Sequence, residues 1–283
     1  MHSRREFLGT LGRSAVGATL FGRLRSPMLE GRGGAPHTSI GIQLYTVRDL
    51  LKRDFEGTLA ALAGIGYREV EFAGYFDHTP AQTRATLERH NLAAPATHIP
   101  LPADDSEWQR TLDQANAIGH QWVIVAWLDE PLRRTPDDWK HLADRFNHLG
   151  RLSRRAGLRF AHHTYDSEFT PQRGTTMFTT LLQRTDPAVV DFELDIYWAV
   201  KGGADPLDLI ERNPGRFPLL HLKDATAAPE RRMVDVGAGT IDWVAILAAD
   251  RATLEHAFVE HDEPADAFAS ARASYSYLSR LTY

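Results

Sequence analysis

From residue 39 onward, short apolar runs alternate with longer stretches in which apolar residues recur at helical spacing. That alternation is the signature of βα units laid around a parallel sheet. Eight runs read as strands: 39–45 (SIGIQLY), 67–72 (YREVEF), 92–98 (LAAPATH), 121–126 (QWVIVA), 158–163 (LRFAHH), 188–194 (AVVDFEL), 216–222 (RFPLLHL) and 254–260 (LEHAFVE). Helices are expected at 54–64, 79–90, 106–118, 137–156 and 264–281, several of them introduced by a capping residue or a proline. Gly66, Gly119 and Gly157 each fall between a helix and the next strand, where a left-handed residue ends the helix. Pro95 and Pro218 lie inside the third and seventh runs and lack the N–H that a paired strand uses. Eight units closing on themselves predict an α/β chain with a single (β/α)8 TIM barrel over residues 37–283; an open doubly wound sheet is the alternative.

The first 36 residues follow another pattern. In SRREFLG, residues Ser3, Arg4, Arg5, Phe7 and Leu8 match a twin-arginine export signal, and the weakly apolar stretch from Ala15 to Gly22 follows it. Residues 1–36 are therefore expected to be a twin-arginine leader, with a periplasmic destination and either cleavage near Ala35 or retention as an anchor. Six Arg against Glu6 and Glu30 give this segment a charge of +4. The whole chain carries −5, so the remainder is distinctly acidic at −9. That sign, with only four Lys in 283 residues, opposes a nucleic-acid partner. The longest apolar run after the leader, Trp122 to Leu128, is far short of the ~20 residues that span a bilayer, so no transmembrane span is expected in the mature chain. There is no cysteine, so any metal must be held by His, Asp or Glu.

In a barrel of this kind the chemistry gathers where the strands end. The residues closing the predicted strands are Gln43 and Tyr45, Glu71, His98, Trp127, His162 and His163, Asp195, His221 with Lys223, and Glu260. Taken singly, Asp195 reads as a helix cap, His221 as a hydrogen-bonded core imidazole and Glu260 as a loop carboxylate. Together with His163 they place one ligand-type residue at the end of each of strands five to eight, a mixed shell suited to one divalent cation. Adjacent strand residues face opposite ways, so His162 competes with His163 for the inward position. Trp127 and Trp198 read singly as ordinary packing residues, with stacking on the flat face of a ligand ring as the alternative.

The phrases IGIQLYTVRD (40–49), GYREVEFAGY (66–75), THIPL (97–101), ELDIYWAVKGGADP (193–206), GRFPLLHLKD (215–224), VGAGTIDW (236–243) and FVEHDEP (258–264) resemble the sugar isomerase/epimerase superfamily with the xylose-isomerase-like TIM barrel, in a branch often found behind twin-arginine leaders. The resemblance spans residues 38–283. It implies a divalent ion (Mn, Mg, Co or Zn) on His163, Asp195, His221 and Glu260, and proton abstraction next to a carbonyl through an enediolate. Glu260 or His163 is then the base, and Lys223 orients or protonates an oxygen. Gln43, Glu71, His98, Glu168 and Trp198 are the expected substrate contacts. Strand five departs from the sugar epimerases: HHTYDSEF (162–169) has no Glu at the ligand position, and Glu168 is the candidate to replace its proton-transfer role or to contact substrate.

The expected partner is a small-molecule sugar or keto-sugar, and a homo-oligomer is allowed for. The same chemistry gives an isomerase or epimerase if the proton returns to carbon. It gives a lyase if a neighbouring glycosidic oxygen of a 3-keto-glycoside leaves. A non-catalytic exported sugar-binding protein is the third reading, and an abasic-site endonuclease on this barrel is opposed by the acidic charge.

Overall fold

The computed structural model describes residues 39–283, and the leader expected at 1–36 lies outside them. Eight parallel strands close into one barrel in chain order: β1 (Ile40–Gln43), β2 (Glu69–Ala73), β3 (Ala93–Pro100), β4 (Trp122–Trp127), β5 (Arg159–His163), β6 (Asp191–Asp195), β7 (Leu219–Leu222) and β8 (His256–Val259), with β8 pairing back onto β1. Each falls on one of the eight apolar runs. The closed order excludes the open sheet. A two-stranded ribbon, Asp224–Ala225 with Met233–Val234, rises from the end of β7. No described helix is long and apolar enough to cross a membrane.

The outer helices begin where the capping residues stand. Asp54 accepts from Gly57 N at the start of α1 (Phe55–Ile65), and Asp104 accepts from Glu107 N at the start of α3 (Asp105–Ile118). Thr79 and Thr135 form reciprocal capping boxes, followed by Pro, at the starts of α2 (Pro80–Arg89) and α4 (Pro136–Arg155). Gly66 ends α1 with φ of 133°, and a Cβ there would lie 2.4 Å from the ring of Tyr275. Both backbone and space thus exclude a side chain.

The two prolines are accommodated differently. Pro95 sits at a register shift, where the β2–β3 pairing passes from Glu69↔Ala93 to Glu71↔Ala96. Its carbonyl still accepts from Gln121 N at 2.7 Å. Pro218 lies just outside β7, which starts at Leu219, and its carbonyl receives Glu255 N and His256 N.

Period-two alternation builds the barrel interior in levels. Ala96, Trp122, Ile124, Ala161, Leu219 and Phe258 form an apolar cluster of their own and make the floor. The alternate residues, such as Val123, Val125, Phe160, Phe192, Leu194 and Leu220, belong to the larger core shared with the helices. Two residues above the floor, the inward positions turn polar: Ala161 is followed by His163, Leu219 by His221 and Phe258 by Glu260.

Candidate metal centre and active site

Four consecutive strands deliver His163, Asp195, His221 and Glu260 to one point, with one ligand atom from each lying within 4.8 Å of all the others. His163 Nε2 is 3.3 Å from Asp195 Oδ2 and 3.2 Å from His221 Nδ1, which is itself 2.9 Å from Glu260 Oε2. All four are buried. His162 turns outward, where it packs on Phe146 of α4 and bonds Val125 O, so the inward histidine of β5 is His163.

Lys223 stands beside this quartet. Its Nζ is 2.9 Å from Asp195 Oδ2, 2.7 Å from Glu260 Oε2 and 2.9 Å from Asp262 Oδ1. Burial disfavours its ammonium, but these three carboxylates outweigh burial and hold its pKa well above the usual lysine range. Burial would raise the pKa of Glu260 too, yet Lys223 and then His221 drive it well below the usual carboxylate range. Burial lowers His163 to about 4, so its imidazole is neutral near pH 7 and has a lone pair to give.

A second polar level lies beneath. His221 Nε2 is 2.6 Å from Glu71 Oε2 and 3.2 Å from Glu193 Oε2; His98 Nε2 is 2.6 Å from the same oxygen of Glu193. Gln43 Nε2 donates to Glu71 Oε2 at 2.7 Å. Burial first, then the charge of Glu193, raises Glu71 to about 7. Burial opposes a charged His221, but Glu193, Glu71 and Glu260 overcome it and hold its pKa well above the usual histidine range, so without a cation both ring nitrogens carry a proton. The 2.6 Å contact to Glu71 retains the proton on Nε2, and Nδ1, which faces Asp195, Glu260 and His163, is the nitrogen that would exchange its proton for a cation.

The upper quartet meets the test for a divalent cation on its own atoms. It offers two carboxylates and two imidazoles, the donor set of borderline divalent ions. Glu260 Oε2, although close to Lys223 and His221, has no aligned hydrogen bond, and His163 Nδ1 is buried without a partner. Buried polar atoms are normally satisfied, so Glu260 Oε2 retains acceptor capacity directed at the quartet.

Above the quartet a cavity of about 1100 Å³ opens at the barrel mouth. His163, Glu260, Lys223, His98 and Trp198 line it, as do Tyr45, Trp127 and Tyr165. Three expected substrate contacts are placed elsewhere. Gln43 and Glu71 are fully buried in the lower level, and Glu71 meets the cavity-lining His98 at 3.3 Å. Glu168 turns away from the mouth: its carboxylate meets His162 Nε2 at 3.1 Å and 3.2 Å and accepts from Tyr165 N. Its geometry fixes the loop after β5 and does not make it a substitute base.

Two residues of the site escaped the sequence reading. Glu193 lies two positions before Asp195 and so shares its face, a signal that strand periodicity contained. Asp262 reaches Lys223 from the loop after β8, where no periodicity applies. The phrase VGAGTIDW proves to be a brace: Gly237 N, Ile241 N and Trp243 Nε1 all donate to Asp224, next to Lys223.

The profile of the family described as xylose isomerase-like TIM barrel matches residues 59–253. An inosose dehydratase of Bacillus anthracis (strain CDC 684 / NRRL 3495) is 26% identical over 190 residues, covering 60% of this chain and 63% of the relative, so the chain spans somewhat under two thirds of that relative's length. The crystal structure of a sugar phosphate isomerase/epimerase from Parabacteroides distasonis ATCC 8503 superposes with a TM-score of 0.75 at 25% identity, covering 90% of this chain and 98% of that one. The IOLI protein, solved with a bound zinc atom, shares the fold with a TM-score of 0.69 at 15% identity over 85% of this chain and 96% of its own. The barrel, its order of strands and the matched profile agree: this chain belongs to the xylose isomerase-like TIM barrel family.

Proposed function

We propose that the protein is a divalent-metal-dependent isomerase or epimerase that removes a proton next to the carbonyl of a sugar or keto-sugar through an enediolate. The observation that carries this reading is the convergence of His163, Asp195, His221 and Glu260 on one point below an open cavity. These four residues would hold one ion (Mn, Mg, Co or Zn). When bound, such an ion supplies a Lewis acid that polarises a carbonyl oxygen.

The chain's own residues supply the remaining steps. Glu260 lines the cavity and is kept ionised by Lys223, so it takes the proton from carbon; neutral His163 is the other base within the quartet. The Lys223 ammonium and His98, both on the cavity wall, donate to substrate oxygens. The lower level retains the proton on His221 Nε2 and leaves Nδ1 to face the quartet.

A second outcome at the same site has support from the inosose dehydratase relatives, whose name denotes an elimination. After proton removal, a neighbouring oxygen leaves, as from a 3-keto-glycoside, and the site acts as a lyase. A non-catalytic sugar-binding protein is the remaining alternative.

The test is solvent-deuterium incorporation by the Mn2+-loaded protein into free ketoses and 3-keto-glycosides. Glu260→Gln should keep metal while exchange falls by about 10² or more, the low end of what a positioned base contributes. Parental exchange in that variant would make Glu260 a ligand only and move the base to His163. Absence of exchange with every substrate would leave the binding-protein reading.

We further propose that the chain reaches the periplasm folded, by the twin-arginine route, on the strength of Arg4 and Arg5 in SRREFLG. Lys at both positions should hold it in the cytoplasm; normal export of that variant would show the signal misread.

A further inference from the structure

The cavity is chemically two-ended. One end carries the ligand quartet with Lys223. The other runs across the mouth to the ends of β2, β3 and β4, where Ala73, Ile99, Ala126 and Trp127 line it and no charged side chain does. Ala73 and Ala126 are small, so the apolar end is open floor beside one large ring. A volume of about 1100 Å³ exceeds the ~300–1,000 Å³ usual for a small-molecule site. A single sugar ring held at the quartet would leave the apolar end unfilled.

Trp127 is 56% exposed, yet it is held in place. Its indole N–H reaches Asp129 Oδ1 at 3.3 Å, its ring meets Tyr165 edge-on at 5.5 Å, and the Arg133 guanidinium lies 5.7 Å from its centroid. Arg133 is itself tied to Leu128 O and Ser167 Oγ. An exposed indole with little freedom left to lose is a preorganised platform for a flat apolar ring face. Trp198, whose side chain also lines the cavity, packs against Tyr165 at 5.7 Å and lies 5.6 Å from Lys223 Nζ, so the aromatic wall runs from Trp127 through Tyr165 toward the quartet.

We infer that the cavity has two subsites and takes a glycoside. The ring that carries the reacting carbonyl sits at the quartet, and a second ring, joined through the glycosidic oxygen, stacks on Trp127. This inference rests on the proposed placement of a carbonyl-bearing sugar at the quartet. The shared chemistry of the second ring is a flat face of C–H groups or an aryl plane, supplied by another pyranose or by an aromatic aglycone.

Binding separates this inference from turnover. Glucose, cellobiose and phenyl β-glucoside, none of them oxidised, are titrated into the Mn2+-loaded protein with tryptophan fluorescence as readout. Cellobiose, phenyl β-glucoside or both should bind roughly tenfold more tightly than glucose, about one stacking contact's worth. Cellobiose alone would identify a second sugar and phenyl β-glucoside alone an aryl aglycone. Trp127→Ala should erase the gap and Trp127→Phe should keep most of it. Equal affinities in the parent, or a gap that survives Trp127→Ala, would overturn the second subsite. Proton exchange on free ketoses with no affinity gap would sink the subsite and keep the activity; a gap without exchange would do the reverse.

Discussion

His221 has the same kinds of neighbour on both sides of its ring, two carboxylates and a histidine, and the two sides differ in what they face. Nδ1 looks up at Asp195, Glu260 and His163, and His163 and Glu260 form part of the cavity wall. Nε2 looks down at Glu71 and Glu193, which are sealed above an apolar floor, with His98 and Gln43 completing their contacts. Residue type alone therefore does not mark a site. Access divides these side chains into a set that can meet a cation and a substrate and a sealed set, Gln43, Glu71 and Glu193, that holds the first one still; His98 joins the two, bonding Glu193 and lining the cavity.

The two sides of His221 can be disturbed one at a time. The largest effect from below should come from Glu193→Gln. It removes a charge that holds the proton on His221 Nε2, and outer carboxylates of this kind typically change metal affinity by about 10- to 100-fold. Isothermal titration with Mn2+ would measure it. An unchanged affinity would mean that the lower level is barrel packing with no influence on the upper one.

A smaller effect is expected from a buried histidine outside both levels. His120 donates from Nδ1 to Ala94 O and its Nε2 meets Tyr75 Oη on the outer side of β3, and burial lowers its pKa to about 4 from 6.5. The folded state thus binds its proton less tightly than the unfolded chain. Its contribution to stability is complete above about pH 6.5 and is lost as pH falls toward 4, by roughly 2 kcal/mol at pH 5. His120→Asn should flatten that part of the stability curve in urea titrations at pH 7 and pH 5. An equal slope in parent and variant would remove His120 from the account.

Much of this was readable from the sequence because barrels repeat. Eight apolar runs with glycine or capping residues at their edges are enough to place strands such as Trp122–Trp127, and counting in twos from Ala161 or Leu219 leads to His163 and His221. Depth was harder to read. Gln43 and Glu71 pair across β1 and β2 and end their runs much as Asp195 ends its own, yet they lie a level lower. Strand tilt and stagger in a closed barrel displace equivalent strand ends along the axis, and a linear sequence does not display that displacement. Loops were harder still: Asp262, Tyr165 and the inward or outward turn of Glu168 depend on backbone paths without a period.

The most direct test of the account is the number of ions each chain holds and which side of His221 holds them. Elemental analysis of Mn2+-loaded, gel-filtered protein should give one ion per chain in the parent and in Glu193→Gln at saturating metal, and none in Asp195→Ala. Two ions per chain, or an ion that survives Asp195→Ala and disappears with Glu193→Gln, would place the metal on the lower side and contradict the division drawn here.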